Sequence, residues 1–156
     1  INARYVSQQK VETMTDVNRD AIIAQRIKDS TTSVTKTVFP GRTNHHNTLF
    51  GGDALAWMDE VAFIAATRFC RKPLVTISSD RVDFKEAIPA GTFAELIAKV
   101  VHVGNTSLKV DVDILLETMH KDDKHSAISG SFTFVAVDDN HRPTPVVCAK
   151  MINGFK

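Results

Sequence analysis

The segment TNHHNTLFGGDALAWMDE, residues 43–60, combines residue types that could carry chemistry. A polar loop containing Asn44 leads to the pair Gly51–Gly52, and an otherwise apolar stretch then carries the adjacent acids Asp59 and Glu60. A carboxylate among apolar residues is costly to bury unless it has a partner or a function. Asp59 is therefore a candidate general base or nucleophile, with a solvated or salt-bridged helix acid as the alternative.

Gly51 and Gly52 stand where a helix is expected to begin. The first N–H groups of a helix have no intrahelical partner, and the positive end of the helix dipole lies there. Because glycine has no Cβ atom, a ligand carbonyl or phosphate can approach this backbone closely. The pair predicts an oxyanion site, unless it serves only as a tight junction between loop and helix. Asn44, in the preceding loop, could orient a water or hold a carbonyl.

The histidines and cysteines predict no metal site. His45 and His46 are adjacent on a loop, with no third ligand at a diagnostic spacing, whereas catalytic zinc usually has three protein ligands. Cys70 and Cys148 belong to no CxxC or Cys/His pattern, so neither a zinc site nor a disulfide framework is expected. Two unpatterned thiols fit a reducing, cytoplasmic compartment.

Hydrophobic periodicity predicts the helices that must position these residues. Residues 15–29 have apolar positions at helical spacing and predict a short amphipathic helix. Residues 53–71 predict a long helix that ends before Pro73. Eleven of the thirteen residues 54–66 are apolar, so this helix is expected to be buried all round, with Trp57 and Phe63 in the core.

The strands are predicted from apolar residues that alternate with polar ones. They are expected at residues 33–39, 74–84, 93–103, 107–115 and 126–137. Four consecutive strands joined by short turns imply an antiparallel sheet, and the one long helix must be what it wraps. The predicted fold is therefore an α+β hot-dog architecture. One such sheet leaves the helix incompletely covered and its edge strands exposed, which predicts a dimer.

Composition sets limits on the partners. Nineteen Lys and Arg against eighteen Asp and Glu give a net charge of +1, so the chain has no global electrostatic reason to bind nucleic acid or an anionic membrane. The longest apolar-rich run, residues 54–66, is shorter than the ~20 residues that cross a bilayer. We expect a soluble protein of one domain.

Several spaced motifs resemble one family. NHHNTLFGGDALAWMDEVA closely resembles the signature of the hot-dog-fold acyl-CoA thioesterases, the group that includes the bacterial acyl-CoA hydrolases and the brain-type cytosolic acyl-CoA hydrolase. The similarity continues through RVDFKEAIPAG, VGNTS and FTFVAVDDNHRPTPV, and covers residues 33–146. These residues are the expected thioesterase domain, preceded by an extension with a short helix at 1–32 and followed by a tail at 147–156.

The resemblance implies hydrolysis of fatty acyl-CoA to free fatty acid and coenzyme A. Coenzyme A is then part of substrate and product, and no cofactor is expected. The resemblance places the catalytic acid at Asp59 and the catalytic asparagine at Asn44, with Asn47 as the alternative. In the family these two groups come from opposite halves of a hot-dog dimer. A homodimer is therefore the expected minimal active unit, assembled into a trimer of dimers.

Coenzyme A contacts are also implied by the resemblance. VGNTS is similar to the family segment that contacts the coenzyme A arm, although an ordinary hairpin turn would show the same pattern. The residues concerned are Gly104, Asn105, Thr106 and Ser107. Arg81 and Lys85 could meet the nucleotide phosphates, although surface exposure alone would also explain them.

Two other functions stay open on the same fold. A non-catalytic acyl-CoA sensor, such as a transcription regulator, would need a helix-turn-helix, but the 32 residues before the first predicted strand hold one convincing helix and no basic recognition helix. A dehydratase acting on a hydroxyacyl thioester typically has a histidine in its site, which His45 or His46 could supply.

The acyl chain is expected to run beside the long helix. The many alanines of that helix favour medium-to-long acyl groups over acetyl. Large residues that could limit the space are Trp57, Met58, Phe63 and Phe69.

Overall fold

The computed structural model describes residues 2–152, and within them the side chains of residues 16–148, 151 and 152. The order of elements is the predicted one, with a one-turn 3-10 helix at Pro40–Arg42 and a short C-terminal helix in addition. The elements are α1 (Asn2–Ser30), β1 (Thr32–Thr37), α2 (Gly51–Cys70), β2 (Leu74–Ser79), β3 (Asp83–Phe84), β4 (Thr92–Val103), β5 (Ser107–Thr118), β6 (Lys124–Ala136) and α3 (Ala149–Ile152).

The strands form a single antiparallel sheet. Its order is β1-β4-β5-β6-β2, and β3 pairs with β6 beyond β2. The long strands β4, β5 and β6 are joined as consecutive hairpins, so their neighbouring positions in the sheet follow from the chain order, and the register shifts once in each pair, at Val100/His102 and at Ile114/Leu115. The predicted antiparallel sheet around one long helix is confirmed.

The core lies between α2 and the inner face of this sheet. In β5, Leu108, Val110, Val112 and Ile114 are all buried, and the polar residues between them point away from the core. This alternation confirms the half-buried strand expected from the sequence. The helix buries small and large apolar side chains together: Ala54, Trp57, Met58, Val61, Ala62, Ala65, Ala66, Phe69 and Cys70. The four buried alanines of this helix allow the sheet backbone to approach the helix closely.

One side of α2 is not covered by the sheet. We call this side the open stripe; it consists of Gly52, Leu55, Ala56, Asp59 and Phe63, which recur at intervals of three or four residues and share one face. The prediction of a helix buried all round is thus wrong for the single chain. Phe63, expected in the core, is 42% exposed, because one sheet can contact only one side of a helix.

Helix α1 extends well beyond the predicted residues 15–29. No Gly or Pro occurs before Pro40, so nothing in the N-terminal sequence interrupts a helix. Ile23 and Ile27 pack against the core, and Arg26 donates from Nε and Nη2 to the carbonyl of Phe69 at 2.9 and 2.6 Å. The end of α1 therefore caps the C-terminus of α2, where a cation is electrostatically favoured.

The strand predicted at residues 74–84 is broken into β2 and β3. Between them Val82 turns inward and lies over Gly130 of β6, against the end of Met58. A side chain at position 130 would occupy this space, so the glycine permits the inward turn. The alternation of apolar and polar residues in 74–84 cannot predict the break, because the break depends on a glycine, Gly130, in a different strand.

Gly130→Ala tests this packing. The added Cβ would lie 2.9 Å from Val82 Cγ2 and 3.2 Å from Met58 Cε, so we expect a loss of about 1–3 kcal/mol in the free energy of unfolding. Gly41→Ala is the matched control, since its Cβ would meet nothing within 4 Å. Urea denaturation of both variants measures the difference. Equal stability of the two variants would contradict the packing described at Gly130.

Candidate active site

The loop before α2 holds Asn44 in a defined orientation. Its Oδ1 accepts hydrogen bonds from the backbone N–H of His46 at 2.9 Å, from that of Thr48 at 3.3 Å and from Thr48 Oγ1 at 3.2 Å. The carboxamide oxygen is thereby occupied, and the NH₂ group is the part of Asn44 that remains to bind a reactant. In this orientation Asn44 can donate to a carbonyl or a water oxygen.

Asn47, the alternative to Asn44, has a different place in the loop. Its φ of 59° lies in the left-handed region, which asparagine tolerates better than most residues. Its N–H donates to the carbonyl of Asn44, and its own carbonyl accepts from Ala90. These features explain Asn47 as a residue that forms the turn. Asn44, whose carboxamide is fixed in one orientation, is the better catalytic candidate.

Gly51 and Gly52 form the first turn of α2. Phe50 precedes them as the N-cap residue, in an extended conformation and with no side-chain hydrogen bond to the helix end. The first N–H groups of α2 therefore have no side-chain cap, and they are available to a ligand. A Cβ at Gly52 would lie 2.8 Å from Phe50 Cε1, so a larger residue there would displace this exposed ring.

A cavity of about 310 Å³ connects this helix start with the loop. Asn44 and Gly51, two of the predicted site residues, both line it, and Phe84 and Glu86 form part of its wall. Asp59 does not line this cavity. Within one chain, the structure therefore unites the asparagine with the helix N-terminus and leaves the acid on a separate surface.

Asp59 lies in the middle of the open stripe and is half-buried. Thr76 of β2 donates from Oγ1 to Asp59 Oδ1 at 3.0 Å, which fixes the carboxylate against the sheet edge. Leu55 and Phe63 lie one turn before and one turn after it on the same stripe, 38% and 42% exposed. The acid is thus placed among exposed apolar side chains, with one oxygen held.

The two adjacent acids have different environments. Glu60 points to the surface, where its carboxylate lies 3.8 Å from Lys36 Nζ; the Glu60 side chain is 61% exposed and that of Lys36 is 29% exposed. Such exposed pairs contribute little to stability. Asp59 is therefore the one of the two adjacent acids that requires a functional explanation.

The predicted coenzyme A residues lie apart from the cavity in the single chain. Gly104, Asn105, Thr106 and Ser107 form the β4–β5 turn, and Gly104 N–H donates to the Ser107 carbonyl at 2.8 Å. This turn adjoins the end of β6 at Val135, whereas the Phe84 wall of the cavity pairs with Ile128. Seven residues of strand separate the two positions, roughly 20 Å.

Arg81 and Lys85 lie on the surface beside β3. Arg81 Nε is 2.6 Å from Asp83 Oδ1, and Lys85 donates to Ser126 Oγ at 3.0 Å. Lys85 immediately follows Phe84 and precedes Glu86, two residues of the cavity wall. Lys85 is thus the predicted cation that is adjacent in sequence to the cavity wall, and it does not itself line the cavity.

The two histidines of the loop are exposed, with ring centroids 3.8 Å apart, and neither lines the cavity beside Asn44. Among the residues that the structure describes, no group of three or more His, Cys, Asp or Glu side chains could hold a metal ion. In the same part of the chain, no helix is long and apolar enough to cross a membrane.

Comparison with known proteins identifies the family. The family model for the thioesterase superfamily matches residues 46–122. YkhA, an uncharacterized acyl-CoA thioester hydrolase of Bacillus subtilis, is 40% identical over 119 residues, which are 76% of this chain and 69% of that protein. The chain belongs to the hot-dog-fold acyl-CoA thioesterases. The family predicted from the sequence motifs is thereby confirmed.

Solved structures of this thioesterase family share the fold. An acyl-CoA hydrolase of Staphylococcus aureus, solved with butyryl coenzyme A, coenzyme A and coenzyme A disulfide, has a TM-score of 0.73 and 35% identity, covering 76% of this chain and 73% of that one. A hexameric acyl-CoA thioesterase, solved without ligand, has a TM-score of 0.74 and 36% identity, covering 76% of each chain. The S. aureus enzyme has also been solved with a threonine, an aspartate or an asparagine replaced by alanine.

Thr76 is the site residue that sequence reasoning missed. Threonine is common in strands, so its presence in LVTISS carries no functional signal. Only the packing of β2 beside α2 shows that its hydroxyl meets Asp59.

The ion pair between His125 and Glu86, a residue of the cavity wall, has a pH-dependent strength. His125 Nε2 lies 2.5 Å from Glu86 Oε2, and its Nδ1 lies 3.3 Å from Asp123 Oδ1. The hydrogen bond to Glu86, followed by that to Asp123, raises the pKa of His125 above its ordinary value of 6.5. The protonated ring thus ties the start of β6 to the loop that borders the cavity.

His125→Gln tests this tie through pH. Because the folded-state pKa is raised, the contribution of His125 to stability is fully present below about pH 6.5 and is lost as the pH rises through the raised value. The variant should therefore lower Tm more at about pH 5.5 than at about pH 9. Exposed His120, replaced by Gln, is the control. A Tm difference that does not change with pH would contradict the ion pair with Glu86.

Proposed function

We propose that this thioesterase is a cytoplasmic enzyme that hydrolyses fatty acyl-CoA to free fatty acid and coenzyme A, with Asp59 and Asn44 as its catalytic residues. The observation that carries this proposal is the position of Asp59, a carboxylate held by Thr76 on an exposed apolar stripe. A charged group so placed is expected to act on an apolar substrate that brings a polar reacting centre to it.

Residue spacing in the S. aureus relative supports the assignment. Its asparagine and aspartate variants are 15 positions apart, and its aspartate and threonine variants are 17 positions apart. In this chain, 15 positions separate Asn44 from Asp59, and 17 separate Asp59 from Thr76. Asn44, Asp59 and Thr76 thus have the same residue types and the same spacing as the three altered positions of the relative, which supports their proposed roles.

The thioester carbonyl binds at the start of α2 in the proposed mechanism. The N–H groups of Gly51 and Gly52 donate to the carbonyl oxygen, and they stabilise the negative charge that develops there as the tetrahedral intermediate forms. Asn44 adds a donor from its NH₂ group, to this oxygen or to the attacking water. These donors are fixed before substrate binds, so little reorganisation is needed during the reaction.

Asp59 supplies the negative charge that starts the reaction. Thr76 occupies Oδ1, so Oδ2 is the oxygen left to act. As a general base, Oδ2 removes a proton from water, and the hydroxide attacks the thioester carbon. As a nucleophile, Oδ2 attacks that carbon itself, and water then hydrolyses the resulting anhydride. Both routes release the coenzyme A thiolate, which takes up a proton, and neither requires a metal or another cofactor.

Two copies of the chain form the active unit in this proposal. The open stripe and the cavity are separate surfaces of one chain, so Asp59 of one protomer completes the cavity that contains Asn44 of its partner. Exposed Val75 and Ile77 on the edge strand β2, together with Leu55 and Phe63, form an apolar surface for the second copy. The hexameric relative supports a higher assembly, and we propose a trimer of dimers.

Coenzyme A contacts complete the proposal. Lys85 stands between two residues of the cavity wall in the sequence and can pair with a phosphate, and Arg81, four residues before it, adds positive charge. The turn of Gly104, Asn105, Thr106 and Ser107 is roughly 20 Å from the cavity in the same chain. Its proposed contact with the coenzyme A arm is therefore made to a substrate bound in a site that a second protomer helps to form.

The two alternative functions gain no support. A dehydratase site would need a histidine at the reacting centre, whereas His45 and His46 are exposed and outside the cavity. A sensor that regulates transcription would need a DNA-binding segment before the first strand. The long helix α1 instead caps α2 through Arg26 and supplies Ile23 and Ile27 to the core, so it is part of the thioesterase fold.

Three variants test the mechanism on palmitoyl-CoA. Asp59→Asn should lower kcat by about 100-fold or more, because the amide can neither accept the proton nor attack. Asn44→Ala should cost a similar factor through the lost donor. Thr76→Val, which frees Oδ1, should have a smaller effect of about tenfold. Glu60→Gln is the control and should leave kcat unchanged. Near-wild-type kcat in both Asp59→Asn and Asn44→Ala would rule out the proposed mechanism.

A further inference from the structure

The path of the acyl chain is restricted by the surface around Asp59. A thioester whose carbonyl meets Asp59 must place its chain on apolar surface, and the apolar surface next to this acid is the open stripe of α2. Two side chains flank the acid there, Leu55 on the N-terminal side and Phe63 on the C-terminal side. Both lie about one turn, or roughly 5–6 Å, from Asp59.

The four large residues of α2 that could limit chain length differ in their exposure to solvent. Trp57, Met58 and Phe69 are 6%, 0% and 0% exposed and belong to the core of the single chain, so a substrate cannot reach them without displacing that core. Phe63 is the member of this set that lies on the open stripe. It is therefore the large side chain that an acyl group on α2 would meet.

Phe63 is also held in place beside the acid. Its ring centroid lies 6.3 Å from that of Phe134, with the rings tilted by 53°, a geometry within the favourable range for aromatic pairs. Phe134 is fully buried, and in the sheet it pairs with Thr76, the residue that holds Asp59. The carboxylate and the Phe63 ring thus rest on the same β2–β6 pair, which fixes their separation.

We propose that Phe63 sets the acyl-chain length accepted by the enzyme, as a wall at the end of the acyl-binding surface one turn beyond Asp59. This proposal rests on the proposed function. The Phe63 ring cannot move toward the sheet, because Phe134 behind it belongs to the close-packed interior. Acyl carbons that reach past Phe63 lose apolar contact or collide with the ring, whereas shorter chains end against it.

Leu55 provides a matched control for this position. It lies on the same stripe, at the same distance along the helix from Asp59, with nearly the same exposure of 38%. A variant at either position removes apolar surface from the same face of α2. An effect on chain length that arises only at Phe63 therefore comes from the acyl-binding surface rather than from a general loosening of the contact between protomers.

The test is a series of kcat/KM values for acyl-CoA substrates from four to eighteen carbons. Each methylene that gains a buried apolar contact is worth about fourfold in kcat/KM. A wall one turn, roughly 5–6 Å, beyond Asp59 leaves room for about four or five acyl carbons, so Phe63→Ala should raise the ratio of kcat/KM for the eight-carbon substrate to that for the four-carbon substrate by about tenfold or more. Phe63→Trp should lower the same ratio, and Leu55→Ala should leave it within about twofold of wild type.

The outcomes separate this proposal from the proposed function. An unchanged ratio in Phe63→Ala, with wild-type assembly by light scattering, overturns the role of Phe63 and leaves the thioesterase mechanism standing. An equal shift in Leu55→Ala overturns it as well. Should Phe63→Ala dissociate, Phe63→Leu keeps most of the apolar bulk and must shift the ratio in the same direction; no shift contradicts the proposal. Wild-type protein that hydrolyses none of the substrates contradicts the proposed function itself.

Discussion

One sheet can cover only one side of a helix, and the rest of this structure depends on that constraint. Helix α2 is apolar around nearly its whole circumference, yet the sheet buries only the face that carries Trp57, Met58 and Phe69. The uncovered face keeps Leu55 and Phe63 in contact with solvent and carries the carboxylate of Asp59. An exposed apolar surface of this kind favours binding of a second molecule. The carboxylate within that surface remains stable only if the interface leaves it polar contacts or water.

The groups around this surface are fixed before any substrate arrives. Thr76 holds one oxygen of Asp59, and the backbone of the preceding loop occupies the carboxamide oxygen of Asn44. Each restraint leaves a single defined atom or group facing outward: Oδ2 of the acid, the NH₂ of the amide. In the proposed site between two protomers, these atoms combine with the N–H groups at the start of α2 into a preorganised set of donors and one acceptor, which would suit hydrolysis of a thioester.

The sequence predicted much of this architecture because its signals are local. Alternation in SLKVDVDIL predicts a half-buried strand, and GGDALAWMDE predicts a buried helix with a free N-terminus. Features that depend on contacts between distant residues were not predictable. The break at Val82 requires Gly130 on another strand, Thr76 acquires a role only from α2, and Phe63 looks like a core residue until the sheet is seen to cover the opposite face.

The central claim is that each active site combines Asn44 of one protomer with Asp59 of its partner. Mixed assemblies of Asn44→Ala and Asp59→Asn chains, isolated with two different affinity tags, test it most directly. If the claim holds, each mixed pair contains one site with both native residues, and activity returns to about one working site per pair although each parent variant is inactive. Mixed assemblies that stay as inactive as the parents would show that both residues act within a single chain.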